Sequence, residues 1–425
     1  MSLSSGAAAI CLSLSIVASS GKNAGTLING GTYSVLPDPS VPSAVVELWF
    51  RAPAAGYDEA TPGLSRVAAT AVAASERLHG TSLAELTRNL GGSLTINAYS
   101  DVVSIAASAP AASSRALVRA LTAAYFTPTV SANGFRSAVR DEAVAIEEKT
   151  FEPHLALREM LFAQLFREGP AHYALTPDST DALAALSAER VNAFAARAFR
   201  PQNAILTLAG NVVAADVAVA AAGPPGAAMD APFDSQTASP GAAVVKTGSL
   251  DGVGLGWIGP PIVQTRAATA LDFVANYLFD PLSGTVSRAL VRDDPAASVE
   301  GQFITLHAPG ILMVTISGGS RVRAKDGVLQ AVTALSQPLP SQTFEAARRA
   351  FAYRIAADTA TAQAVADNAG WYAAENDPSY APGDPSGTYA QNVASLNPKY
   401  VAQIVREYLQ HPAIAELRAE HAARR

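Results

Sequence analysis

The sequence predicts an α+β chain built twice over, and three observations carry that reading. Residues 63–98 (GLSRVAATAVAASERLHGTSLAELTRNLGGSLTINA) have the pattern of a helix, a glycine-marked break, a second helix and a strand. The order of elements in the first half recurs in the second at an offset of about 210 residues, clearest between 187–204 (SAERVNAFAARAFRPQNA) and 397–413 (NPKYVAQIVREYLQHPA). Between the halves, 221–243 (AAGPPGAAMDAPFDSQTASPGAA) has the composition of an exposed linker. The expectation is two homologous domains, 24–220 and 244–425, each an antiparallel sheet with helices packed on one face, joined into a clamshell.

The elements follow from local pattern. Residues 43–50 (SAVVELWF) form a strongly β-prone run. Leu64, Val67, Ala68, Ala71, Val72 and Leu78 then recur at helical spacing, giving one apolar face that His79-Gly80 stops. Ser82-Leu83-Ala84-Glu85 opens the next helix as a capping box, and Gly91-Gly92 closes it through a left-handed turn. Leu94, Ile96 and Ala98 alternate on a half-buried strand, with 101–108 (DVVSIAAS) as its hairpin partner. Helices follow over 112–126, ended by Pro128, over 131–149 with Phe135, Val139 and Ile146 inward, over 155–166 and over 187–199. Residues 204–209 (AILTLA) make the closing strand. In the second half, strands over 253–258, near 302–306 and over 311–317, a helix over 266–279 and helices from Ala324 onward replay that order, and the pairs Ser65-Arg66 and Ser287-Arg288 fall at corresponding places.

Composition narrows the function classes. With 425 residues and 49% hydrophobic content the chain can bury large cores. A net charge of −6 argues against a nucleic-acid partner, which needs a basic face. The single cysteine, Cys11, rules out an internal disulfide framework. Residues 7–18 (AAAICLSLSIVA) read as the apolar core of a signal peptide, or as an extra strand because Leu12, Leu14 and Ile16 alternate with serines. Residues 1–23 are therefore set apart, and a periplasmic or secreted location is expected, with a cytoplasmic one as the alternative. No run reaches the roughly 20 apolar residues of a membrane span.

The motif stretch resembles the insulinase/pitrilysin family of zinc metallopeptidases, which includes the mitochondrial processing peptidase subunits. There a Gly-Leu-x-His-x-x-Glu-His helix is followed by a helix, a Gly-Gly and a strand. Gly63-Leu64-Ser65 keeps the lead-in and Gly91-Gly92-Ser93-Leu94 the exit. Residues 26–50 resemble the family's opening hairpin, and Phe199-Arg200-Pro201-Gln202-Asn203-Ala204 resembles its lead into the last strand of a domain. The resemblance implies the LuxS/mitochondrial processing peptidase-like metallohydrolase fold. It also shows what has been lost. Arg66 stands at the first histidine ligand, Ala69 at the glutamate base and Thr70 at the second histidine. A guanidinium has no lone pair for a metal, and a methyl cannot take a proton from water. The family's third ligand has a counterpart in Glu147, with 76 residues between it and Thr70, beside Glu148; both also read as a solvated helix face. Arg292, in Leu290-Val291-Arg292-Asp293-Asp294, matches the arginine that active relatives use on the substrate carbonyl, or else makes a surface ion pair. The tyrosine expected after it is missing from Pro295-Ala296-Ala297-Ser298. Asp280-Pro281-Leu282-Ser283-Gly284 likewise departs from the glycine-rich loop of the recognition subunit.

All six histidines are isolated in sequence, and only Glu76 and His79 share a helical spacing, better explained by the helix dipole than by a metal. Three readings stay open. The first is a non-catalytic subunit with no cofactor of its own, paired with a zinc-bearing His-x-x-Glu-His homologue, or with a copy of itself, around an unfolded peptide. The second is a structural subunit of a larger assembly, like the core proteins of the respiratory bc complex. The third is a metallopeptidase with a rearranged site using Glu147.

Overall fold

The computed structural model describes residues 23–28, 30–57, 61–76, 80–166, 177, 179–226, 243–307, 309–375 and 387–419. Residues 1–22, Leu78, His79 and most of the 221–243 linker lie outside these, and with them the signal-peptide reading.

The first half runs β1 (Ala24–Thr26), β2 (Thr32–Pro37), β3 (Ser43–Arg51), α1 (Leu64–Ala74), α2 (Leu83–Asn89), β4 (Ser93–Ala98), β5 (Val102–Pro110), α3 (Ser114–Tyr125), α4 (Ala132–Phe151), α5 (Pro153–Leu165), α6 (Thr180–Leu183), α7 (Ala188–Ala198) and β6 (Ala204–Gly210). The second runs β7 (Val244–Gly248), β8 (Gly252–Ile258), α8 (Thr265–Phe279), α9 (Thr285–Asp293), β9 (Ser298–Ile304), β10 (Ile311–Ser317), α10 (Arg321–Leu335), α11 (Ser341–Asp358), α12 (Ala362–Ala374), α13 (Gly387–Ser395), α14 (Pro398–Tyr408) and β11 (Ala413–Ala419). Serine side chains at 82, 131 and 187 accept the backbone N–H three residues on, so each of these helices starts at its cap. Gly91 takes φ +76° to end α2.

The two sheets share one topology. The first has the order β1-β2-β6-β3-β5-β4 and the second β7-β11-β8-β10-β9. Each is antiparallel but for one pair, β2 with β6 and β7 with β11. The reason is geometric. The closing strand inserts beside the central strand and antiparallel to it, so it must run parallel to the strand on its other side. It also separates β2 from β3, so the opening segment is not a hydrogen-bonded hairpin; Thr26 to Thr32 instead closes a tight turn between β1 and β2. Asn203 explains the lead into β6: its Nδ2 donates to the carbonyls of Arg51 and Ala198, tying helix end to central strand. The common topology also corrects one correspondence. Arg66 lies on α1, the helix after the central strand, whose counterpart is α8, whereas Arg288 lies on α9.

Both central strands are buried on both faces. Ala44, Val46, Leu48 and Phe50 of β3 point into the first half's own helices; Val45 and Trp49 point the other way. That second face is covered by α12, from the other half. The exchange is reciprocal, since α5 lies across the outer face of β8, β10 and β11. Each half thus lends a helix to the other's sheet.

Candidate functional site

The motif helix α1 is enclosed nearly all round. Leu64, Ser65, Val67, Ala68, Ala69, Ala71, Val72 and Ala73 are buried, while Arg66 and Thr70, one turn apart, share the half-buried face. Gly63 enters the helix at φ +77°, and a Cβ there would press on Glu142 Oε1 at 3.0 Å. Ala69 is fully buried, its carbonyl accepting a hydrogen bond from the Tyr125 hydroxyl at 2.8 Å. Arg66, Ala69 and Thr70 therefore offer no imidazole and no carboxylate on this helix.

α4 runs antiparallel to α1. Ser75 Oγ accepts from the Ser131 N–H at 2.9 Å at one end, and Arg66 Nε donates to Glu142 Oε2 at 2.6 Å at the other. That contact is the centre of the site. Glu142 is 2% exposed and Arg66 31%. Burial pushes the Glu142 carboxyl above its usual range; the hydrogen bond and charge of Arg66 oppose the rise. Beside them Lys149 Nζ donates to Glu159 Oε2 at 3.1 Å and to the Pro177 carbonyl at 3.0 Å. Two cations and two carboxylates therefore alternate along the α1–α4–α5 junction.

Sequence spacing pointed to Glu147, but Glu147 and Glu148 are exposed on the outer side of α4. Helix register decides this. The antiparallel crossing brings Glu142, not Glu147, opposite Arg66. Arg292 is 76% exposed and pairs with its neighbour Asp293 at 3.2 Å. Glu76 is exposed and His79 lies outside the described residues. His154 lies between Thr315 Oγ1 and Ser317 Oγ, and His307 Nδ1 lies 3.1 Å from the Glu375 carbonyl.

Zinc does not fit this donor set. A catalytic site needs three ligands from His, Cys, Asp or Glu plus water. Arg66, Ala69, Thr70 and Glu142 offer one carboxylate, already bonded to a guanidinium. Among the described residues no three such ligands converge anywhere.

The fold has relatives among solved structures. A protease from Helicobacter pylori superposes with a TM-score of 0.81 at 15% identity, covering 93% of this chain and 98% of that one. The chain has the fold of the M16-like peptidases. A peptidase M16 inactive domain from Pseudomonas fluorescens (TM-score 0.77, 15% identity, 93% and 97% covered) and an M16-like peptidase from Alicyclobacillus acidocaldarius (0.77, 12%, 93% and 98%) share that fold. So does a chain of complex III2 from Candida albicans (0.75, 13%, 93% and 96%). No protein-family model and no curated protein matches the sequence. The M16-like fold is what the insulinase/pitrilysin resemblance implied. No helix among the described residues is long and apolar enough to cross a membrane.

Proposed function

We propose that this chain is a non-catalytic M16-like subunit that pairs with a separate homologue carrying an intact His-x-x-Glu-His motif, and that the two enclose an unfolded peptide. One observation supports the reading: Arg66, at the position the resemblance gives to the first metal ligand, is tied up in an ion pair with the buried Glu142. The partner supplies the zinc, the histidines and the base. This chain supplies a wall and a sheet edge. β4 is the outermost strand of the first sheet, and an extended peptide laid beside it gains main-chain hydrogen bonds whatever its side chains. The inactive M16 domain of Pseudomonas fluorescens supports a subunit of this kind. The likeness to a complex III2 chain favours the second reading, a structural subunit of a larger assembly. A rearranged metal site through Glu147 has no support, since that residue is exposed and no second and third ligand converge on it among the described residues.

Peptidase assays of the pure chain, of the His-x-x-Glu-His homologue and of their mixture test the proposal. The chain alone should be inert with or without added zinc, and the mixture should cleave peptides faster than the homologue alone. Turnover by the pure chain contradicts it.

A further inference from the structure

The seam between α12 and the first sheet holds an arrangement that the subunit reading does not use. One end is aromatic: Trp49, Tyr99 and Trp371 meet at centroid distances of 4.9 to 6.0 Å. The other end is aliphatic, with Val45, Ala209 and Ala366. Buried carboxyl groups lie along the same seam. Glu47, fully buried in the middle of β3, faces Asp367 of α12, which is half-buried and accepts from Gln363 Nε2 at 2.8 Å. Asp101, just before β5, faces Glu375, just after α12, and both are 1% exposed. Asp367 and Glu375 are two helical turns apart, so both acid pairs lie along one face of α12.

Both oxygens of Asp101, both of Glu47 and Oε1 of Glu375 lack a donor at hydrogen-bonding geometry. Two buried carboxyl groups face to face are satisfied when one carries a proton and donates it to the other. Arg51, from β3, donates Nε and Nη2 to the carbonyls of Ala374 and Ala373 at 2.7 and 2.9 Å, capping the end of α12. Its charge, together with the His307 amide, tempers the rise at Glu375; Glu375 and then the charge of the His307 side chain temper it at Asp101; and Trp49 and Ser104 temper it at Glu47. Tyr99, pushed up to about 12, adds no charge near neutrality. Burial still pushes Asp101 up to about 6; burial first, and the opposing carboxylate second, push Glu375 and Glu47 well above their usual range.

We infer that this seam is a proton latch: protons shared within the Asp101–Glu375 and Glu47–Asp367 pairs hold α12 on the first sheet, and their loss as pH rises lets α12 lift from that sheet while α5 stays on the other. The sign follows from linkage. The closed seam binds these protons more tightly than the open chain does, so closure is favoured at low pH. It weakens as pH rises through about 6, where Asp101 ionises, and further as Glu375 and Glu47 follow. The inference stands apart from the subunit proposal, since it concerns opening and not catalysis.

Hydrogen exchange of the full chain from about pH 5 to about pH 9, corrected for the intrinsic rate, tests it. Protection in α12 should fall about tenfold or more, the equivalent of one pKa unit, while α5 keeps its protection. Asp101→Asn gives Glu375 a donor that does not titrate and should flatten the α12 profile; Glu375→Gln, its mirror image, should do the same. Glu47→Gln removes the titration of the second pair, and a steep profile persisting in the Asp101→Asn/Glu47→Gln double variant overturns the latch. Should the double variant not fold, the wild-type profile decides alone, and parallel behaviour of α12 and α5 overturns it.

Discussion

Glu142 and Glu375 are both buried carboxyl groups at helix junctions, yet they are answered in opposite ways. Glu142 meets a guanidinium, which is charged at every accessible pH. Glu375 meets Asp101, a second acid. The first arrangement is a fixed charge pair that leaves no ligand for a metal. The second depends on a proton that solution can supply or withdraw. One fold thus carries a locked junction on the α1–α4 side and a titratable one under α12. The opposite seam sharpens the contrast. There Leu157, Leu161 and Leu165 of α5 pack over Gly252, Gly254 and Gly256 of β8, where an added Cβ would come within 3.0 to 3.1 Å of the leucine side chains.

The largest effect is expected away from both carboxyls, which makes it the control. Leu161→Ala should cost about 2–5 kcal/mol in urea unfolding, because the nested leucine is fully buried and the glycine strand cannot fill the void. Its pH profile should match the wild type. Arg66→Met should cost about 3 kcal/mol near neutral pH by leaving Glu142 buried without its cation. That deficit should narrow on acidification, since protonation removes the uncompensated charge. Glu47→Gln should be silent near pH 5 and stabilising by about 1 kcal/mol above pH 7, where the wild-type carboxyl is driven to ionise in the seam. The double variant Arg66→Met/Glu142→Leu should lie within about 1 kcal/mol of wild type, because removing both charges together leaves neither stranded. If it is as damaging as Arg66→Met alone, the pair does more than neutralise charge.

Much of the fold was legible because it is local. The Ser82 and Ser187 caps, the β4–β5 hairpin and the β6 strand all follow from a few neighbouring residues. The repeated order of elements then carried over to the second half. What sequence does not carry is the exchange of α5 and α12, since nothing in either helix says whose sheet it will cover. The site suffered for the same reason. A count of residues led to Glu147, whereas helix register and an antiparallel crossing select Glu142. The acid seam had one visible signal: a glutamate in the middle of SAVVELWF, a run otherwise fit for burial on both faces. Its partner on α12 lay in a different half and could not be read.

Metal content of the pure full chain, measured by mass spectrometry after incubation with zinc and desalting, bears most directly on the claim that Arg66 and Glu142 have closed the metal site. Zinc far below one ion per chain, unchanged by Glu142→Gln, is the expected result. One tightly held zinc per chain, lost in Glu142→Gln, would contradict it.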